Sequence, residues 1–202
     1  MFVSTAHIQI NRSMKTAERE QLNEILDAMA KATGFHAVYL THASEGESLA
    51  LAVFDSKADF QKASDHVASA VQDLAESLTV EMPKWEGGEV NSQYVNPDTI
   101  PGFLSIRRAR IKDPKSLEER QAYGKAMATR ISKVPEGRRA FYEVWPSDTE
   151  LTHLGVYDNR DSRTRFMEQL MSSAPQENSP NLGEVVGPIQ ETVGDIAAYR
   201  IK

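Results

Sequence analysis

GFHAVYLTHASEGESLALAVFDS, residues 34–56, recurs without gaps as GRRAFYEVWPSDTELTHLGVYDN, residues 137–159. Eight of the 23 aligned positions are identical: Gly34/Gly137, Ala37/Ala140, Tyr39/Tyr142, Ser44/Ser147, Glu47/Glu150, Leu51/Leu154, Val53/Val156 and Asp55/Asp158. Ordinary residue usage gives roughly one or two matches by chance. The similarity extends upstream, where FVSTAHIQIN (2–11) lies on FLSIRRARIK (103–112) and Glu18-Arg19 on Glu119-Arg120. Downstream, Phe60 falls on Phe166, and GGEVNSQYV (87–95) on VGDIAAYRI (193–201). A unit of about 100 residues is written twice, which is a domain duplication rather than a solenoid repeat.

Each copy reads in one order. Residues 2–10 alternate like a half-buried strand. Leu22, Ile25, Leu26 and Met29 follow at helical spacing, behind Thr16 as a candidate cap and ahead of Gly34 as a stop. Strands at 36–42 and 48–54 flank a polar ASEGE turn. Asp55-Ser56 lead into a helix striped with Phe60, Ala63, Val67, Val71 and Leu74, and a last strand runs near 88–95. The second copy repeats this order, with SSAPQENSPN breaking its second helix into a loop. The expected division is a first repeat at 1–95, a linker at 96–102 and a second repeat at 103–202. The order βαββαβ is the split-βαβ, ferredoxin-like unit. Right-handed crossovers place both helices on one face of its sheet and leave the other face uncovered. The predicted fold class is therefore α+β, two ferredoxin-like repeats packed sheet to sheet as an intramolecular α+β barrel.

The hairpins followed by VFDSKADF (53–60) and VYDNRDSRTRF (156–166) resemble the dimeric α+β barrel superfamily, and within it the antibiotic-biosynthesis-monooxygenase-like proteins. That superfamily hosts oxygenases, isomerases, haem-active enzymes and non-enzymatic sensors, so the resemblance speaks to fold more than to activity.

Composition narrows the function classes. With 29 acidic against 23 basic residues the net charge is −6, which offers no field for nucleic-acid phosphates. No cysteine is present, which excludes disulfides, thiolate metal sites and a cysteine nucleophile and fits a cytoplasmic protein. The first residues alternate rather than forming a signal sequence, and no apolar run reaches the ~18 residues of a membrane span. His7, His36, His42, His66 and His153 lack metal-ligand spacing, and no phosphate cradle or nucleophile elbow appears.

Residues that stay apolar in both copies, Leu51/Leu154 and Val53/Val156, are expected under the helices together with Ala37, Tyr39, Ala140 and Tyr142. The opposite, cavity-facing side then carries Val38, Leu40, His42, Ala50, Ala52 and Phe54 in copy one. In copy two it carries Phe141, Glu143, Trp145, His153 and Tyr157. Leu40 thus becomes Glu143, Ala50 becomes His153 and His42 becomes Trp145. Burying a glutamate and a histidine is costly unless they pair, so Glu143 and His153 are the candidate proton-transfer residues. Phe141, Trp145, Tyr157, His42 and Phe54 are candidate walls of a substrate pocket. Arg108, turned inward, is a candidate for holding an anionic or enolate oxygen; the plainer reading of Arg107, Arg108 and Arg110 is a wet strand face. The plainer reading of Glu143 and His153 is likewise a solvated pair at a hairpin end. Three functions stay open: a cofactor-independent monooxygenase acting on an aromatic or polyketide-like small molecule, a non-catalytic ligand-binding or oligomerisation module, and a haem protein. The last rests on the resemblance, which places an axial histidine near His66. No metal and no other cofactor is assigned, and pairing of two chains into a homodimer stays open because no pattern specifies an interface.

Overall fold

A computed structural model describes residues 1–10, 12–42, 46–78, 80–133, 137–172 and 183–202. Most of the SSAPQENSPN segment, most of the ASEGE turn and Pro135-Glu136 lie outside them. The elements are β1 (Phe2–Gln9), α1 (Thr16–Ala30), β2 (Phe35–Thr41), β3 (Glu47–Phe54), α2 (Lys57–Leu78) and β4 (Lys84–Val95). They are followed by β5 (Phe103–Arg110), α3 (Leu117–Ser132), β6 (Arg138–Val144), β7 (Glu150–Tyr157), α4 (Arg160–Ser172) and β8 (Gln190–Ile201). The order β-α-β-β-α-β therefore occurs twice.

Shared residues make shared local structure. Gly34 and Gly137 both adopt positive φ, 71° and 68°, where a side chain is strained. Their carbonyls accept equivalent hydrogen bonds from Asp55 N at 2.7 Å and Asp158 N at 2.9 Å. The turns after β3 and β7 end in helix caps. Ser56 Oγ accepts from Asp59 N at 3.1 Å, and Asn159 Oδ1 accepts from Ser162 N at 2.9 Å. At α3, Ser116 and Glu119 satisfy each other's backbone amides in a reciprocal box.

α1 differs from the expected start. Lys15, not Thr16, is the capping position, and its amide donates to Glu18 at 2.6 Å. Glu18 also receives both terminal nitrogens of Arg12, at 2.8 and 2.6 Å. Arg12 first, and the Lys15 amide second, hold the Glu18 carboxyl down at about 2, against an ordinary 4.5. A depressed carboxyl pKa contributes stability that is complete above the unfolded value and lost as pH falls through the folded one. Glu18→Gln should therefore flatten the acid limb of stability between about 4.5 and 2, measured by urea unfolding at stepped pH. An acid limb identical to wild type would show that Glu18 is not responsible.

The chain forms two compact units, residues 1–89 with 196–202, and residues 90–195. In the first, β3 pairs with β1 and β2, the start of β4 pairs with β1, and the end of β8 pairs with β2. In the second, β7 pairs with β5 and β6, the rest of β4 pairs with β6, and the start of β8 pairs with β5. Every pairing is antiparallel. The expected pair of separate four-stranded sheets is replaced by strands that run on: β4 and β8 are each 12 residues long and contribute to both units. Traced through its hydrogen bonds, the strand order closes as β1-β3-β2-β8-β5-β7-β6-β4.

The expected assignment of sheet faces is inverted. Phe35, Val38, Ala52 and Phe54 pack with Ile25, Leu26 and Met29 of α1 and Phe60, Ala63 and Val67 of α2. Phe103, Phe141 and Tyr157 pack with Ile131 of α3 and Phe166 of α4. The face holding Phe141, Glu143 and His153 therefore lies under helices. The criterion misled because Leu51, Val53, Leu154 and Val156, on the opposite face, are 0–1% exposed as well. With both faces of a hairpin buried, persistence of apolar character names neither.

Candidate functional site: a buried carboxylate facing an imidazole

Register brings Glu143 of β6 directly opposite His153 of β7, with Phe141 opposite Gly155 two residues along. Cross-strand partners share a face, so Glu143, His153 and Phe141 converge beneath α3. Glu143 is 0% exposed. Its Oε1 accepts from Asn91 Nδ2 at 2.7 Å and from Trp145 Nε1 at 3.0 Å. Its Oε2 has no hydrogen-bond donor among the described residues and faces His153 Nε2 at 3.6 Å, which is also buried and without a hydrogen-bond partner. The pair is just outside hydrogen-bond length, and a sub-ångström movement closes it.

Aromatic rings wall the imidazole. Phe141 stands 5.2 Å from it, and Tyr123 of α3 lies parallel at 6.4 Å. Tyr123 meets Trp145 edge-on at 6.3 Å, and Trp145 is held by Ile111, Leu151 and Val185. Burial first, and the Glu143 carboxylate second, push the Tyr123 hydroxyl pKa above its ordinary value. The His153 side chain is 21% exposed although Nε2 is buried, so the exposed part belongs to the rest of the side chain. A hydrogen bond from Nε2 to that carboxyl oxygen, once the gap closes, would leave the Nδ1 lone pair available.

Helix α3 reaches this close because of Gly124. A Cβ there would stand 3.0 Å from Glu143 Oε1 and collide with Asn91 Nδ2. Asn91 donates as well to the Arg120 carbonyl of α3 at 2.8 Å, tying β4 to the helix.

Of the residues expected at the site, Glu143, His153, Phe141 and Trp145 come together. Tyr157 shares with Phe141 the core cluster that also holds Phe103, Ile131 and Phe166. Phe54 is 0% exposed, packed between Phe35 and Phe60 at 5.6 and 5.8 Å. His42 is exposed and lines a groove in the first unit. Arg108 pairs with Thr152 on the other face; the arginine that shares the His153 face is Arg107, opposite it on β5. Arg107 NH1 donates to Met167 Sδ at 3.3 Å, and its Nε is buried without a partner among the described residues. Asn91, Tyr123 and Gly124 escaped sequence reading. The 101-residue offset held the signal for Tyr123 and Arg107, which replace Leu22 and Ala6. Leu22 and Ala6 pack with Leu40 and Ala50, the counterparts of Glu143 and His153. No pattern pointed to Asn91.

His66 does not fit an axial haem ligand. It is exposed on α2, and its neighbour Val67 is the residue turned into the apolar cavity of that unit. That cavity, about 170 Å³, is of the size that holds one benzene ring. Among the described residues no group of three or more acidic or histidine side chains is placed to hold a metal ion, and no helix is long and apolar enough to cross a membrane.

No protein-family model matches the sequence, and no curated protein matches it significantly. Solved structures do. A provisionally assigned monooxygenase from Fusobacterium nucleatum superposes with a TM-score of 0.63 at 9% identity, covering 100% of this chain and 94% of that one. A second, from Lactobacillus acidophilus, gives 0.59 at 12%, covering 99% and 96%. A heme-binding protein from Thermus thermophilus gives 0.57 at 12%, covering 96% and 90%. Such identities show the fold alone, an α+β barrel that different chemistries share.

Proposed function

We propose that this chain is a small-molecule-binding α+β barrel protein, built from two duplicated ferredoxin-like repeats (1–95 and 103–202, linked by 96–102). In its second half, Glu143 and His153 act as a proton-transfer pair in a cytoplasmic, cofactor-independent monooxygenation. The observation that carries this reading is the pair itself: two buried atoms, Oε2 and Nε2, facing each other at 3.6 Å with no other hydrogen-bond partner among the described residues. Leaving a carboxylate oxygen unpaired in a core is costly, and functional sites are where such costs persist.

The chemistry follows from that arrangement. Glu143 orients the ring, and Nδ1 removes a proton from an activated C–H of an aromatic or polyketide-like substrate. The carbanion adds dioxygen and takes back the first proton as a hydroperoxide. His153 removes the second C–H proton, the O–O bond breaks to leave the carbonyl, and hydroxide leaves as water, so CH₂ + O₂ becomes C=O + H₂O. His153 returns its proton to the departing oxygen. Phe141 and Trp145 keep water from the site, and Arg107 stands on the face where an enolate oxygen would need a cation. The provisional assignments of the Fusobacterium and Lactobacillus structures are in keeping with this reading.

Oxygen uptake recorded over a panel of hydroxylated aromatics and anthrone-like ketones tests it. Consumption matched one to one by carbonyl product supports the reading. Absence of turnover across the panel, with binding retained, leaves the second reading, a ligand-binding module without chemistry. That alternative is favoured by one observation: the 170 Å³ apolar cavity is lined wholly by residues of the first unit.

A further inference from the structure

The first unit has, at the positions matching the polar pair, Leu40 and Ala50, with Leu22 where the second has Tyr123. Smaller apolar side chains leave room there. A cavity of about 170 Å³ lies between α1, α2 and the helix-facing side of the sheet, walled by Leu22, Leu26, Leu40, Val67, Val71 and Trp85.

Its mouth is of different chemistry. Ile10, Met14, Leu22 and Leu40 line both this cavity and a groove of about 580 Å³, so the two adjoin along these side chains. The groove carries Arg12, Arg19, Asn23, Thr41 and His42, and no carboxylate among the described residues. Arg12 is committed to Glu18. Arg19 is exposed and has no ion-pair partner among the described residues, one helical turn along α1 from the Leu22–Asn23 rim.

We propose that cavity and groove form a binding site for a small carboxylic acid, distinct from the Glu143–His153 pair. The apolar body of the acid, one aromatic ring or a chain of about six carbons, fills the cavity. Its carboxylate sits in the groove on Arg19, with His42 beside it as a hydrogen-bond donor.

Isothermal titration of the full chain with 3-phenylpropanoate and hexanoate, against the neutral 3-phenylpropanol and 1-hexanol, tests this. The acids are expected to bind about two- to fivefold tighter than the alcohols, as suits a solvent-exposed charge contact. Arg19→Gln should remove that difference and leave alcohol affinity unchanged. Val71→Trp, which fills the cavity, should abolish binding of all four while circular dichroism stays native. If Val71→Trp does not fold, methyl resonances of Leu22, Leu40 and Val67 in the wild type should shift on adding 3-phenylpropanoate. Equal affinity for acid and alcohol, no binding at all, unshifted methyls, or full affinity in a folded Val71→Trp would each overturn the assignment.

Discussion

Replacing His153 with alanine should lower oxygen consumption on a turned-over aromatic substrate by about 10²- to 10⁴-fold, the usual contribution of a positioned base. The fold should survive, because the first unit already carries alanine at the matching position, Ala50. Glu143→Gln should cost nearly as much for a different reason. A glutamine oxygen keeps the hydrogen bonds from Asn91 and Trp145, but its amide then faces Nε2 as a donor. The imidazole is driven to the other tautomer, with its proton on Nδ1 where the lone pair is needed. Steady-state rates across pH, with urea unfolding as control, separate this from mere destabilisation. If a folded His153→Ala kept wild-type turnover, the base would have to be sought elsewhere; if Glu143→Gln alone did so, the carboxylate would have no part in orienting the ring.

The second large effect is expected at Gly124. Exchanging glycine for alanine in a helix ordinarily stabilises by about 0.5–1 kcal/mol. Here the sign should reverse. The new Cβ displaces Asn91, which breaks its hydrogen bonds to Glu143 and to the Arg120 carbonyl and moves α3 off the carboxylate. Losing these buried contacts should outweigh the propensity gain and leave a net destabilisation of about 1–3 kcal/mol. Turnover should fall with it, since Tyr123 adjoins Gly124 and covers the imidazole. Urea midpoints of Gly124→Ala against Ala128→Gly, at a half-buried helical position, give the comparison. A stabilised Gly124→Ala would mean that α3 does not depend on close approach.

The internal similarity made most of the architecture legible. Gly34/Gly137 and Asp55/Asp158 were visible as identities, and each pair proves to make the same turn and the same hydrogen bond. The caps Ser56 and Asn159 emerged only with the structure. Glu143 and His153 stood out by divergence alone, because apolar counterparts occupy the first copy. Asn91 did not, because β4 carries a mixed pattern over its whole length and crosses from one compact unit to the other. Arg108 was favoured over Arg107 because alternation shows that neighbours oppose each other without showing which faces the helices.

The order of elements and the opposition of Glu143 to His153 across one hairpin were determined by the sequence itself, because each depends on contacts among residues close along the chain. Which face of that hairpin lies under the helices was decided only by the tertiary structure. Leu51, Val53, Leu154 and Val156 on one side and Ala52, Phe54 and Tyr157 on the other are all 0–3% exposed. An alternating pattern distinguishes two sides only when water wets one of them. Both sides here are dry, so only the packing of Phe141 and Tyr157 against Ile131 and Phe166 settles which is which.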